Sequence, residues 1–279
     1  MLSRMRHNIH KVFRSRIAML TMLAYTAVLI ACGVNIYKDS DDVNLGAQLD
    51  KEIRANPKEY PIMQGRPEVK SYVGGIVQKV LASPDVQKRA IYPYAVEIIQ
   101  DDKTVNAFCT PGGYIYVYTG LMKFLDNEAS LAGVLGHEIA HAERRHATKR
   151  ITAAHGAQIL LGEVLGKNPS TVAQIAGNLF TNLGFLKNSR DDEMEADNYS
   201  MQYLRSTDYY PGSIKYFFEK IGAAGGSTSS SLTTLFLTHP PSEDRANNVQ
   251  AKMAEWKVPS PAESQLFTKS YQAFKKKLP

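Results

Sequence analysis

Cysteine is scarce: the 279 residues hold only Cys32 and Cys109. That excludes a disulfide framework and disfavours a structural metal site, which four ligands, often thiolates, would close. Acidic residues are missing altogether from residues 1–31, whereas Arg4, Arg6, Lys11, Arg14 and Arg16 fall within the first sixteen. No apolar run of membrane-spanning length occurs after residue 34, and no internal repeat is visible. The formal net charge of +6 therefore misleads, because without residues 1–31 the remaining 28 Lys and Arg face 27 Asp and Glu. A balance of about +1 removes nucleic acid as an expected partner. The length suits one catalytic domain with a single substantial core.

A basic head, the uncharged run Ile17 to Ala31 and small residues at its end are the parts of an export signal. Leu29-Ile30-Ala31-Cys32 resembles the bacterial lipobox, whose cysteine becomes the lipidated first residue of the mature protein. The expected division is a signal peptide at 1–31, a lipidated N-terminus and tether at 32–44, and a catalytic domain at 45–279. An uncleaved anchor over Ile17 to Val34 is the alternative, and both readings place the rest of the chain outside the cytoplasm. Gly33, instead of an acid, after Cys32 favours the periplasmic face of the outer membrane. With Cys32 acylated, Cys109 is left single, and its apolar surroundings suggest a buried, unreactive thiol.

Along the chain, Asp39 to about Lys58 reads as tether plus a first helix, with helical spacing near Leu45 to Ile53. Val69 to Leu81 carries apolar residues at helical spacing. Tyr92 to Gln100 and Gly113 to Thr119 are β-branched and aromatic, bounded by Asp, Pro and Gly, and read as strands. Beyond Gly120 the pattern is helical: Asn127 to Lys149, two apolar helices between Ala153 and Leu186, Asp191 to Leu204, and Ile214 to Ile221 after Pro211. A flexible Gly225 to Ser231 loop, two terminal helices and a solvated Lys275 to Lys277 end complete the chain. Ala153 to Leu186 is either ordinary core or a mobile lid. The expected class is α+β, mainly helical with a small sheet.

The decisive segment is Gly136-His137-Glu138-Ile139-Ala140-His141. Histidines four apart project from one helical face and can reach one metal ion. Glu138 points about 100° away, so it sits beside the ion, able to take a proton from a metal-bound water. The surrounding helix is apolar, and buried imidazoles and carboxylates need such a partner. A catalytic zinc also needs a third protein ligand. Arg144 and Ala147 stand where a glycine and a histidine would complete a set on the same segment, so the ligand must come from another helix. Ser189-Arg-Asp-Asp-Glu-Met-Glu-Ala-Asp197 offers Glu193 and Asp197 on one face, Glu193 to bind and Asp197 to orient an imidazole. Glu195 is turned about 200° from Glu193.

HEIAH followed by SRDDEMEAD resembles the gluzincin family that includes the CAAX prenyl proteases and bacterial lipoprotein metallopeptidases. Two further stretches are similar. Asn106-Ala107-Phe108 with Pro111 to Val117 resembles that family's edge strand, and Thr238-His239-Pro240-Pro241 with Arg245 its later His-Pro…Arg element. The resemblance implies a zincin-type fold and one catalytic zinc held by His137, His141 and Glu193, with Glu138 as base and Asp197 as a second active-site acid. His239 and Arg245 become candidates for a fourth ligand or an oxyanion donor. Lacking further membrane spans and a helical repeat domain, the chain looks like the compact lipoprotein type.

The expected activity is zinc-dependent endopeptidase cleavage of unfolded or misassembled cell-envelope proteins, the substrate pairing with Gly113 to Thr119 by strand addition. The rival reading is a zinc-containing chaperone or assembly factor for outer-membrane proteins with latent protease activity.

Overall fold

The computed structural model describes residues 35–154, 187–225, 229–240 and 243–279. The signal segment, Cys32 and nearly all of the Ala153 to Leu186 stretch lie outside the described residues. Two compact units are distinguished: Met1–Lys38 with Thr148–Ile175, and Asp39–Ala147 with Ala176–Pro279. In the first, Asn35 Nδ2 donates to Thr148 Oγ1 at 2.9 Å and the Ile36 N–H to Thr152 Oγ1 at 3.3 Å. The second holds every candidate site residue that is described.

Helix α1 (Asp39–Ala55) starts six residues before the expected Leu45, so residues 39–44 are helix and not tether. Asp39, Asp41 and Asp42 lie in its first turn, where acids complement the helix dipole. Asp42 is buried and accepts from Tyr92 Oη at 2.6 Å and Arg145 Nε at 2.6 Å. Leu45, Leu49 and Ile53 form its buried stripe. Helix α2 (Pro67–Leu81) begins with proline, whose missing N–H costs nothing there, and buries Val69, Val73, Ile76, Val77 and Val80 as its spacing predicts.

The sheet has three strands: β1 (Val96–Ile99), β2 (Ala107–Thr110) and β3 (Tyr114–Tyr118), in the order β1-β3-β2. β1 runs parallel to β3, with Val96 opposite Ile115, and β2 runs antiparallel, with Cys109 opposite Ile115. Gly112 and Gly113, at φ 75° and 83°, make the β2–β3 turn in a left-handed backbone open to glycine. Alternation along β3 sends Ile115 and Val117 into the main core, and Tyr116 and Tyr118 into a second cluster with Ile53 and Tyr60. β1 is shorter than the expected Tyr92 to Gln100, because Pro93 cannot donate to a ladder and Tyr94 has φ 43°.

One expectation is overturned here. The segment Gly113 to Thr119 is paired on both sides, so it cannot accept an added strand. Among the described residues, the unpaired edge next to the helical body belongs to β2.

After the short α3 (Thr119–Phe124) comes α4 (Glu128–Glu143), capped by the Asn127 side chain accepting from the Ser130 N–H at 2.8 Å. Every residue of α4 is buried. Its two ends are pinned by carboxylates. Glu128 accepts from Tyr72 Oη and Tyr209 Oη, and Glu143 from the Gln87 and Lys88 N–H groups and Tyr94 Oη. The expected helix to Lys149 is broken after Glu143 by a two-residue turn and resumes at His146, because Arg145 turns into the left-handed region (φ 60°) and its guanidinium grips Asp42.

Helix α5 (Arg190–Leu204) opens with a reciprocal capping box between Ser189 and Asp192. It packs closely on α4, since a Cβ at Gly136 would lie 2.8 Å from Ser200 Oγ, and Ser200 Oγ donates to the Gly133 carbonyl at 2.7 Å. Helix α6 (Ile214–Ala223) follows the Pro211 turn as expected. A 3-10 turn (Ser230–Leu232) and α7 (Thr233–Thr238) deliver His239, and α8 (Glu243–Glu255) carries Arg245. Two short helices, α9 (Glu263–Leu266) and α10 (Thr268–Lys275), close the chain. Lys275 is not part of a free basic tail: its Nζ donates to the Leu125 carbonyl at 2.8 Å, beside buried Tyr271 and Phe274. The α+β class, helical with a small sheet, is the one the sequence predicts. Among the described residues, no helix is long and apolar enough to cross a membrane.

Candidate metal centre

Because α4 is buried throughout, its histidines must find partners within the protein. His137 and His141, one turn apart, bring their Nε2 atoms to 2.9 Å. Helix α5 presents Glu193 across them, with Oε2 3.4 Å from His137 Nε2 and Oε1 3.3 Å from His141 Nε2. His239, at the end of α7, adds its Nδ1 at 3.3 Å from His137 Nε2 and 3.0 Å from Glu193 Oε1. The four donor atoms lie within 4.8 Å of one another, and all four residues are buried. Zinc bonds of about 2.0–2.1 Å in a tetrahedron imply donor–donor edges of roughly 3.3 Å. The observed separations cluster about that value, so the residues fit a zinc ion, and their nitrogen and oxygen chemistry suits it.

The surrounding bonds fix these groups. His137 Nδ1 is 2.8 Å from Asp197 Oδ1, the orienting contact expected for Asp197. Arg245 donates to Asp197 through Nε at 2.7 Å and Nη2 at 2.8 Å, and to Glu193 Oε2 through Nη1 at 2.7 Å. Its guanidinium lies over the Phe218 ring, 4.5 Å from the centroid. All three nitrogens of Arg245 thus engage carboxylates, so that it clamps Glu193 and Asp197. Asp197 in turn is fully buried, with its Oδ1 against His137 Nδ1.

Electrostatics point the same way. Burial raises the Glu193 carboxyl, but His239 and His137 outweigh it and hold it well below its ordinary range. Burial raises Asp197 too, but the charge and hydrogen bonds of Arg245, together with His137, bring it below its ordinary value. For His137, burial opposes charge, yet Glu193 and Asp197 lift it to about 9. Burial and the His137 charge keep His141 well below its usual value. The site is therefore built around ionised carboxylates that demand a positive charge between the imidazoles, and a divalent cation meets that demand without a proton. Glu138 is different: burial pushes its carboxyl up, and its Oε1 sits 3.6 Å from His239 Nε2.

The structure thus gathers His137, Glu138, His141, Glu193, Asp197, His239 and Arg245 about one point, while Cys32 lies outside the described residues. Cys109, on β2, is partly buried with its thiol pushed well above the ordinary value by burial. Sequence reasoning missed two contributors. Asn188 donates through Nδ2 to Glu193 Oε1 at 2.7 Å, and nothing but its place before the Ser189 cap hints at this. His146 has its Nδ1 2.7 Å from His141 Nδ1, although five residues' spacing on an unbroken helix would turn it away.

A histidine pair on a buried helix, a glutamate from a second helix across it and a further glutamate beside the first histidine define a zinc metallopeptidase. Residues 67–253 match peptidase family M48, more than half of the chain, and the protein belongs to that family. It is 34% identical over 149 residues to the mitochondrial metalloendopeptidase OMA1 of Arabidopsis thaliana, covering 53% of this chain and 30% of that protein. Against the beta-barrel assembly-enhancing protease of Yersinia pestis it is 27% identical over 214 residues, 73% of this chain and 43% of the relative. The metalloprotease YcaL of Escherichia coli is 29% identical over 157 residues, 55% of this chain and 60% of YcaL. The chain therefore spans less than two thirds of the length of each of these relatives.

Proposed function

We propose that this protein is a zinc-dependent metalloendopeptidase of the bacterial cell envelope that cleaves unfolded or misassembled envelope proteins. The observation that carries the reading is the convergence of His137, His141 and Glu193 at tetrahedral edge distances, with Glu138 on the same helix beside them. These three would hold the ion, with His239 placed to be a fourth donor. When bound, the zinc supplies a Lewis acid and an acidified water at neutral pH. Glu138 takes the proton of the attacking water and returns it to the leaving amine. Its upward-shifted carboxyl suits a group that must both accept and donate. Asp197 and Arg245 keep His137 and Glu193 in position. For a substrate to enter, His239 would move away from His137 and Glu193, and the unpaired edge of β2 would receive the extended peptide by backbone pairing. Recognition of backbone over side chain suits unfolded segments.

The substrate class is supported by the beta-barrel assembly-enhancing proteases among the relatives, and the location by the export signal. On this reading residues 1–31 are removed, Cys32 is acylated, and the lipid holds the catalytic domain at the periplasmic face of the outer membrane. The rival, a zinc-containing assembly factor with latent activity, is weakened by the presence of Glu138.

The test is cleavage of a urea-unfolded outer-membrane β-barrel protein by the zinc-loaded chain and by Glu138→Gln. The variant should bind one zinc per chain and lose cleavage by orders of magnitude. Equal cleavage by both would sink the mechanism, and no cleavage by the wild type would favour the assembly factor. Metabolic labelling with radioactive palmitate should mark the wild type and not Cys32→Ala; label retained in the variant would remove the lipid anchor.

A further inference from the structure

Helix α4 ends in a way its sequence does not advertise. Arg144 closes the last turn with its N–H on the Ala140 carbonyl, and Arg145 takes φ 60°. On a continuing helix, residue 146 would point about 140° away from residue 141. The left-handed step folds it back instead, so that the two imidazoles meet edge to face with centroids 4.9 Å apart. His146 is 1% exposed, its Nδ1 2.7 Å from His141 Nδ1 and its Nε2 2.8 Å from Glu195 Oε2. Glu195 is fixed in turn by Arg144, whose Nε donates to Oε1 at 2.9 Å. Glu195 faces away from Glu193 as helical geometry requires, yet it belongs to the same network one residue further out.

The protons in this chain can be assigned by elimination. His141 Nε2 faces the other donor atoms of the metal centre, so as a ligand it presents a lone pair there. Neutral imidazole carries one N–H, which leaves the proton on Nδ1. That N–H points at His146 Nδ1, which must then accept. His146 consequently bears its own proton on Nε2 and donates it to the Glu195 carboxylate. Every bond runs in one direction, toward a negative charge. His137 is treated in the same way with one fewer step, its Nδ1 meeting Asp197 directly.

Building on the zinc assignment, we propose that His146, braced by Glu195, is a positioning residue that sets the tautomer and orientation of His141. The left-handed turn at Arg145 exists to bring it there. Outer partners of ligating histidines typically govern metal affinity by 10–100-fold, and without His146 the Nδ1–H of His141 would be buried without an acceptor.

The experiment uses the full chain and measures zinc affinity by competition with a chromophoric chelator, together with the visible spectrum of the cobalt(II) form. His146→Phe keeps a ring but removes the acceptor, and should weaken zinc by about 10–100-fold and shift the cobalt bands. His146→Asn places an amide oxygen near the position of Nδ1, and should restore affinity to within about threefold of wild type. Zinc affinity of His146→Phe within twofold of wild type, or His146→Asn as weak as the phenylalanine variant, would overturn the proposal. A measurement independent of any variant's folding is the nitrogen-15 tautomer pattern of the zinc-loaded wild type. The expected result is Nδ1–H at His141 and Nε2–H at His146; Nδ1–H at His146 would refute the assignment. If the wild type itself binds no zinc, the ligand set fails; if it binds and His146→Phe binds equally, only the positioning role fails.

Discussion

Replacing Arg245 with leucine tests the deepest electrostatic element of the protein. Arg245 is 7% exposed, and its guanidinium engages two buried carboxylates through three contacts of 2.7, 2.8 and 2.7 Å. Its removal strands Asp197, fully buried, with His137 as its remaining partner, and costs Glu193 its shortest ion pair. Breaking a buried pair from one side typically costs about 3–5 kcal/mol, because the surviving charge stays desolvated. For a domain of this size each kcal/mol lowers the melting temperature by about 2–4 °C, so the expected drop is roughly 6–20 °C. Urea unfolding of the chelator-treated chain, followed by far-ultraviolet circular dichroism, isolates this effect from the metal. Adding Asp197→Asn should recover part of the loss, since a neutral amide needs no guanidinium; the double variant should fall short of the summed single losses by at least about 1 kcal/mol. A midpoint for Arg245→Leu equivalent to less than about 0.5 kcal/mol, or strict additivity in the double variant, would refute the clamp.

Other consequences follow from the same geometry. Glu193→Ala should lower zinc occupancy in the purified chain, read by atomic emission, while the adjacent exposed-face change Asp191→Ala should leave it near one per chain; equal loss in both would point to a general folding defect. Stripping zinc with a chelator should abolish proteolysis and reduce the melting temperature, with free zinc at about 100 times its Kd returning about 2.7 kcal/mol; activity undiminished by thorough chelation would exclude metal catalysis. Gly136→Val should destabilise the chain by about 1–3 kcal/mol, because a Cβ there meets Ser200 Oγ at 2.8 Å. Denaturant curves superimposable on wild type would show that α4 and α5 are less tightly apposed.

Much of the centre was readable because helical periodicity is local. The four-residue steps from His137 to His141 and from Glu193 to Asp197 state which groups share a face before anything is known of the fold. Other features depend on partners far along the chain. The polar start of α1 reads as a tether until Arg145, 103 residues on, neutralises buried Asp42. That same salt bridge holds the left-handed turn which ends α4 early, so the partnership of His146 was invisible as well. Strand periodicity identified β3 and, within Tyr92 to Gln100, β1, but neither β2 nor the order of the three. Order in a sheet is a long-range property, and β2, only four residues long, became the edge instead.

The metal-bearing helix has a further consequence for how long the ion stays. Glu128 and Glu143 are both buried and hydrogen-bonded, so α4 has no loose end from which to fray. Regions of this kind open only with the whole domain, while peripheral segments open alone. On the proposed assignment, two of the ligands, His137 and His141, would be presented by this doubly anchored helix. Exchange of a bound ion would then be expected from the other side, through His239 on the six-residue α7 or the Glu193 carboxylate. Residence time of the ion then becomes a property of one short helix and one side chain, tunable there without touching the core that aligns the histidines.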